Sequence, residues 1–113
     1  MKGYQITFYT QQDRMHGTVP LAQWMIEQAK LHGLRGATLT AGIEGLGHDG
    51  VTHAINLFDI SEQPIQITFI VTSKEAESMF IHLQKENIKI FYMIAPVEFG
   101  VMNTDGFVHP NFL

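Results

Sequence analysis

From Gly3 to Tyr9 apolar and polar side chains alternate, with Tyr4, Ile6 and Phe8 on one face and Gln5, Thr7 and Tyr9 on the other. This period of two predicts a first strand. Thr10 to Thr18 is polar, and Pro20 then supplies the fixed φ that suits a first helical turn. Leu21, Trp24, Met25, Ala29 and His32 recur at helical spacing, and Gly33 stands where a positive φ usually ends a helix, with Lys30 and His32 placed to favour the macrodipole. The short β-branched run Ala37 to Ala41, bounded by Gly36 and Gly42, predicts a second strand. Ile65, Ile67, Phe69 and Val71 alternate with Gln66, Thr68 and Ile70 as a third. Thr72 with Glu75 has the spacing of a capping box, and Ala76, Met79, Phe80 and Leu83 continue it as a helix to Asn87. Ile88, Ile90, Tyr92 and Ile94 alternate with Lys89, Phe91, Met93 and Ala95, which predicts a fourth strand.

The order βαββαβ predicts an α+β, ferredoxin-like sandwich: an antiparallel four-stranded sheet with two helices on one face. A single domain is expected over 1–113, with a core at 1–95, a long glycine-punctuated loop at 42–64 and an irregular tail at 96–113 carrying Phe99, Phe107 and Phe112. Within the loop, His53 to Ile60 can pair as arms of a protruding hairpin. Phe91 and Met93 lie on the face opposite Ile90 and Tyr92, so the second sheet face is partly apolar and needs a cover. Other copies of the chain offer the same patch, and symmetric self-association is expected.

Composition narrows the function. The chain has 113 residues, 45% hydrophobic and 16% charged, which fits a globular domain and leaves no membrane-spanning run. No integral membrane protein is expected, and with no export signal evident at Met1 to Gln5 a cytoplasmic location is. The absence of cysteine excludes disulfides, thiolate metal sites and cysteine nucleophiles. A formal net charge of −4, with only seven Lys and Arg, lacks the cationic footprint of a nucleic-acid binder.

The most distinctive residues are His16-Gly17-Thr18-Val19-Pro20-Leu21, Gly33-Leu34-Arg35-Gly36-Ala37-Thr38 and Gly42-Ile43-Glu44-Gly45-Leu46-Gly47. In this order and spacing the set resembles a PII-like signalling family, the domain of unknown function numbered one hundred and ninety. The strand end Gly36-Ala37-Thr38-Leu39 and the segment Gly45-Leu46-Gly47-His48-Asp49-Gly50 are also similar to a stretch of the nitrogen-regulatory PII proteins. The resemblance implies a homotrimer without enzymatic activity, in which an adenine nucleotide such as AMP, ADP or ATP binds at clefts between subunits. It also implies that loop 42–64 is a switch facing a protein or membrane-transporter target. Gly36, Thr38, Gly45, Gly47, His48 and His16 are the expected ligand contacts. Glycines let backbone N–H groups approach an anion, and the Thr38 hydroxyl can read a purine edge or a phosphate. Alternatively, these glycines only turn the chain into a hairpin, and His16 caps the first helix.

The phosphate end of the match is incomplete. Lys85-Glu86-Asn87-Ile88-Lys89 contains no glycine, and 96–113 contains no Arg or Lys, so a triphosphate lacks positive partners. AMP, ADP or an unrelated anion suits the residues at least as well as ATP. The loop has no tyrosine, so nucleotidylation there is not expected. A second function class is a divalent-metal-binding tolerance protein using His48, Asp49 and His53, with His16 or His109 from a neighbouring subunit. Glu44 reads as an ion-pair partner of Arg35, His32 as a charge at a helix end, His82 as surface, and Trp24 as core. No paired acid and base or activated nucleophile points to an enzyme.

Overall fold

The computed structural model describes residues 1–34, 36–42, 44–46, 52–54 and 63–110, with the backbone alone at 44–46 and 52–54. In chain order the elements are β1 (Lys2–Gln11), β2 (Met15–His16), β3 (Val19–Pro20), α1 (Leu21–Leu31), β4 (Ala37–Ala41), β5 (Glu44–Leu46), β6 (Thr52–Ala54), β7 (Pro64–Val71), α2 (Ser73–Lys85) and β8 (Phe91–Glu98). The main sheet has four strands in the order β4-β7-β1-β8, every pair antiparallel. This is the α+β arrangement the alternation predicts, with β1 and β7 central and β4 and β8 at the edges.

Register fixes the two faces. Ile6 opposes Phe69 on one side and Ile94 on the other, and Phe8 opposes Ile67 and Tyr92. These residues share the face covered by the helices. There Ile6, Phe8, Ile65, Ile67, Phe69 and Val71 pack against Leu21, Ala22, Met25 and Ala29 of α1 and Ala76 and Leu83 of α2. Phe8 is central: its ring lies 6.0 Å from Phe69, 5.9 Å from Phe80 and 6.4 Å from Tyr92, so one aromatic cluster ties three strands to α2.

The ends of the helices follow local chemistry. The Thr72 hydroxyl accepts from the Glu75 backbone N–H at 3.2 Å while the Glu75 carboxylate accepts from the Thr72 N–H at 2.8 Å, a complete capping box. Gly33 has φ +73, the left-handed geometry expected after α1. Pro20 is the residue before α1 and no side chain caps this helix. His16 therefore does not serve as its cap.

Three boundaries differ from the sequence expectation. The polar stretch after β1 folds into the β2–β3 hairpin, Met15 opposite Pro20 and His16 opposite Val19. The hairpin in the long loop pairs Glu44–Leu46 with Thr52–Ala54, earlier than 53–60, of which 55–60 lie outside the described residues. The last strand begins at Phe91 rather than 88, because α2 closes first: Asn87 takes φ 54 and the Ile88 N–H bonds back to the Leu83 carbonyl at 3.0 Å. The crossover then occupies 88–90. The strand runs on to Glu98, past the 95 expected, and Pro96 is accommodated because β8 is an edge strand.

Candidate functional site

β4 presents the first candidate surface. Its five residues are all exposed, and among the described residues it pairs with β7 alone, which leaves its outer backbone edge unpaired by them. Natural sheets rarely leave such an edge uncovered. Gly36 leads into this strand with no atom of the described residues within 4 Å of where a Cβ would stand and no positive φ. Among the described residues nothing demands glycine there. Thr38 lies on the open sheet face, directly opposite Thr68, which in turn opposes Thr7. The hydroxyls of Thr7 and Thr68 meet at 3.0 Å, and Thr7 is buried. A row of three threonines therefore crosses the sheet from the site residue Thr38 to its centre. Sequence alternation set Thr7 and Thr68 opposite the apolar positions of their strands, but only register adds Thr38 and reveals the row.

The same open face carries apolar side chains: Phe91 is 48%, Met93 37% and Ile70 39% exposed. The Tyr9 ring lies 5.6 Å from that of Phe91, tilted by 53°, and leaves Phe91 about half exposed. The expectation of a partly apolar second face is met.

The remaining expected contacts divide. Gly45 lies in β5, opposite His53 of β6. Gly47, His48 and Asp49 lie outside the described residues, as does Arg35. Among the described residues no set of three or more His, Asp and Glu side chains is gathered for a metal. His16 is placed away from β4, against α1 and the end of α2: its ring is 4.2 Å from Trp24, and its Nε2 is 3.6 Å from the Glu86 carboxylate. Arg14 donates to the Lys89 carbonyl, so the β2–β3 hairpin is tied twice to the turn between α2 and β8. Within one chain, His16 and Thr38 belong to different surfaces.

A grouping that the sequence did not announce lies between the helices. Trp24, Gln28 and His32 follow one another at successive turns of α1, and the His82 ring of α2 meets all three. It stacks on Trp24 at 5.8 Å with 16° between planes, lies 2.8 Å from Gln28 Oε1, and approaches the His32 ring to 4.8 Å. The spacing of four was readable along α1, but no local pattern names a partner on another helix. His82 is thus a bridge rather than plain surface.

No helix among the described residues is long and apolar enough to cross a membrane. Comparison with curated proteins gives no match. Among solved structures, the chain is similar to one described as a PII-like signaling protein from Thermus thermophilus, with 21% identity, TM-score 0.63, and 85% of this chain and 87% of that one covered. It is also similar to CPII, a nitrogen regulatory PII-like protein from Thiomonas intermedia K12 bound to ADP, AMP and bicarbonate, with 13% identity, TM-score 0.67, and 89% and 91% covered. The apo form of CPII matches with 11% identity and TM-score 0.56, over 86% and 90%. These likenesses establish a shared fold. The family model for DUF190, described as an uncharacterized ACR, matches residues 3–99. With the fold of PII-like proteins and a family match over nearly its whole length, the chain belongs to the DUF190 family.

Proposed function

We propose that this protein is a non-enzymatic, cytoplasmic regulatory protein of PII-like type that assembles as a homotrimer and binds an adenine nucleotide in clefts between its subunits. The observation that carries the reading is the open sheet face. Phe91, Met93 and Ile70 leave an apolar surface that further copies of the chain can cover. Assembly on that face places the exposed β4 of one copy beside its neighbour, so that Gly36 and Thr38 become cleft wall, with Gly45, Gly47 and His48 at its mouth. Gly36 fits this role because its missing Cβ leaves room outside the subunit rather than relieving a clash within it. The nucleotides bound by CPII lend support to the ligand class.

His16 reaches such a cleft only from an adjacent copy, since its own chain packs it on Trp24 beside Glu86. The turn there offers Glu86 and the helix-closing Asn87 instead of a glycine loop, which favours AMP and ADP over ATP. Loop 42–64 then acts as the switch: if nucleotide selects one of its conformations, nucleotide and target bias the same element.

Native mass spectrometry with AMP, ADP and ATP tests both halves. A trimer carrying AMP or ADP is expected, with a melting shift that corresponds to about 2.7 kcal/mol at ligand a hundredfold above its Kd. A monomer in dilute solution, or a trimer indifferent to all three nucleotides, overturns the assembly or the ligand respectively.

A further inference from the structure

We propose that His32 and His82 form a two-imidazole binding site for a divalent transition-metal ion such as Zn²⁺ or Cu²⁺, between the end of α1 and the later turns of α2. Two imidazoles bound at about 2.0–2.1 Å to one tetrahedral ion hold their ring centres roughly 5 Å apart. The His32 and His82 rings are 4.8 Å apart, tilted by 59° rather than stacked face to face. Imidazole nitrogen suits Zn²⁺ and Cu²⁺, whereas Mg²⁺ and Ca²⁺ want oxygen.

A second observation is the partner of the His82 ring nitrogen. Nε2 lies 2.8 Å from Gln28 Oε1. With Nε2–H donated to that oxygen, Nδ1 keeps its lone pair for a metal, the arrangement in which an outer acceptor fixes the tautomer and orientation of a ligating histidine. Trp24, stacked at 5.8 Å, holds the ring plane from a third direction.

Space is available as well. Beside the pair opens a cavity of ≈ 40 Å³, lined by Gln28, His32, Glu75, Ser78 and His82 over an apolar floor that includes Met25 and Phe69. Roughly 10–15 Å³ suffices for one water, so an ion can keep water ligands there. Glu75 also lines the cavity, but its carboxylate accepts from the Thr72 N–H in the capping box, and among the described residues no set of three His, Asp and Glu side chains is gathered for a metal. The two imidazoles are therefore completed by solvent, and the ion exchanges readily instead of being locked in a structural cage. The pair sits on the helical side of the sheet, away from Thr38 and the open face, so this site and the nucleotide cleft stand or fall separately.

Calorimetric titration of the full chain with Zn²⁺ and with Cu²⁺ is the direct test. Binding of a single ion per chain is expected. His32→Ala, a change at the exposed end of α1, should abolish it, and Gln28→Leu should weaken it roughly 10- to 100-fold by removing the outer acceptor. His48→Ala/His53→Ala should leave it unchanged. Long-range ¹H–¹⁵N spectra of the imidazoles give a readout independent of stability: Zn²⁺ should shift His82 Nδ1 while Nε2 stays protonated. Equal affinity in wild type and His32→Ala, heats lost only in the loop variant, or imidazole signals of both residues unmoved by Zn²⁺ would each overturn the proposal.

Discussion

His82 Nε2 and Gln28 Oε1 meet at 2.8 Å, joining the two helices by a side-chain hydrogen bond above the sheet. The bond is part-buried, and the His82 ring also stacks on Trp24. A hydrogen bond of this kind contributes about 1 kcal/mol net, and a ring pair about 0.5–1.5 kcal/mol more. His82→Ala should therefore lower stability by about 2 kcal/mol in urea denaturation, and His82→Phe by about half that, since it keeps the ring and loses the bond. Equal losses in the two variants would show that the ring stacking adds nothing and that the hydrogen bond carries the whole effect.

Gly3 is required by crowding rather than by its φ. A Cβ there would lie 2.1 Å from the Val71 carbonyl oxygen and 2.7 Å from Phe99 Cε1. The first atom is backbone at the end of the β1–β7 pairing and cannot swing away. Gly3→Ala should cost about 3 kcal/mol. Adding Phe99→Ala should not restore it, because the carbonyl clash remains; a full rescue would assign the strain to the phenyl ring alone.

Thr7 and Thr68 share a hydroxyl–hydroxyl contact of 3.0 Å. Replacing one partner leaves a buried polar group unpaired, whereas replacing both removes the requirement. Thr68→Val is expected to lose about 1–3 kcal/mol and Thr7→Val/Thr68→Val to recover most of it. A double-mutant cycle with additive losses would mean that the two hydroxyls do not depend on one another.

Phe91 and Met93 are the side chains of β8 that the open face exposes most usefully to a second copy, at 48% and 37%. Phe91→Ser/Met93→Gln should leave the far-ultraviolet circular dichroism unchanged while sedimentation moves to the monomer. The same variant should lose any nucleotide-dependent melting shift. An unchanged sedimentation coefficient would place the interface elsewhere.

Much of this architecture was legible because local and global signals agree. The Thr72–Glu75 box is formed by both of its bonds, Gly33 takes the positive φ its place demanded, and β4 spans the very run Ala37–Ala41 that two glycines bracket. The start of β8 was not legible, since Ile88 and Ile90 alternate like strand residues yet spend their apolar side chains on the core during the crossover. Alternation reports burial, and burial does not require a ladder. The candidate site shows the same division. Thr38 was readable as a polar position on a short strand, but the Thr38–Thr68–Thr7 row needs the register of three strands. The His82 contacts need the spacing between two helices. His16 was singled out for a turn motif, and what decides its surroundings is a carboxylate 70 residues later in the chain, at Glu86.

The β1 strand precedes both of its partners in the chain and is the last to have its edges filled. It is flanked on both sides by strands from the second half of the chain, and the terminal ammonium of Met1 bonds the Phe99 carbonyl at 3.0 Å, a separation of 98 residues. This segment therefore has no strand to zip against until β7, in the second half of the chain, is in place. Pairings of such long sequence separation are slow to nucleate, and the waiting strand is an apolar ribbon with both edges bare. Until both neighbours arrive, folding depends on whatever shields the ten residues of this strand.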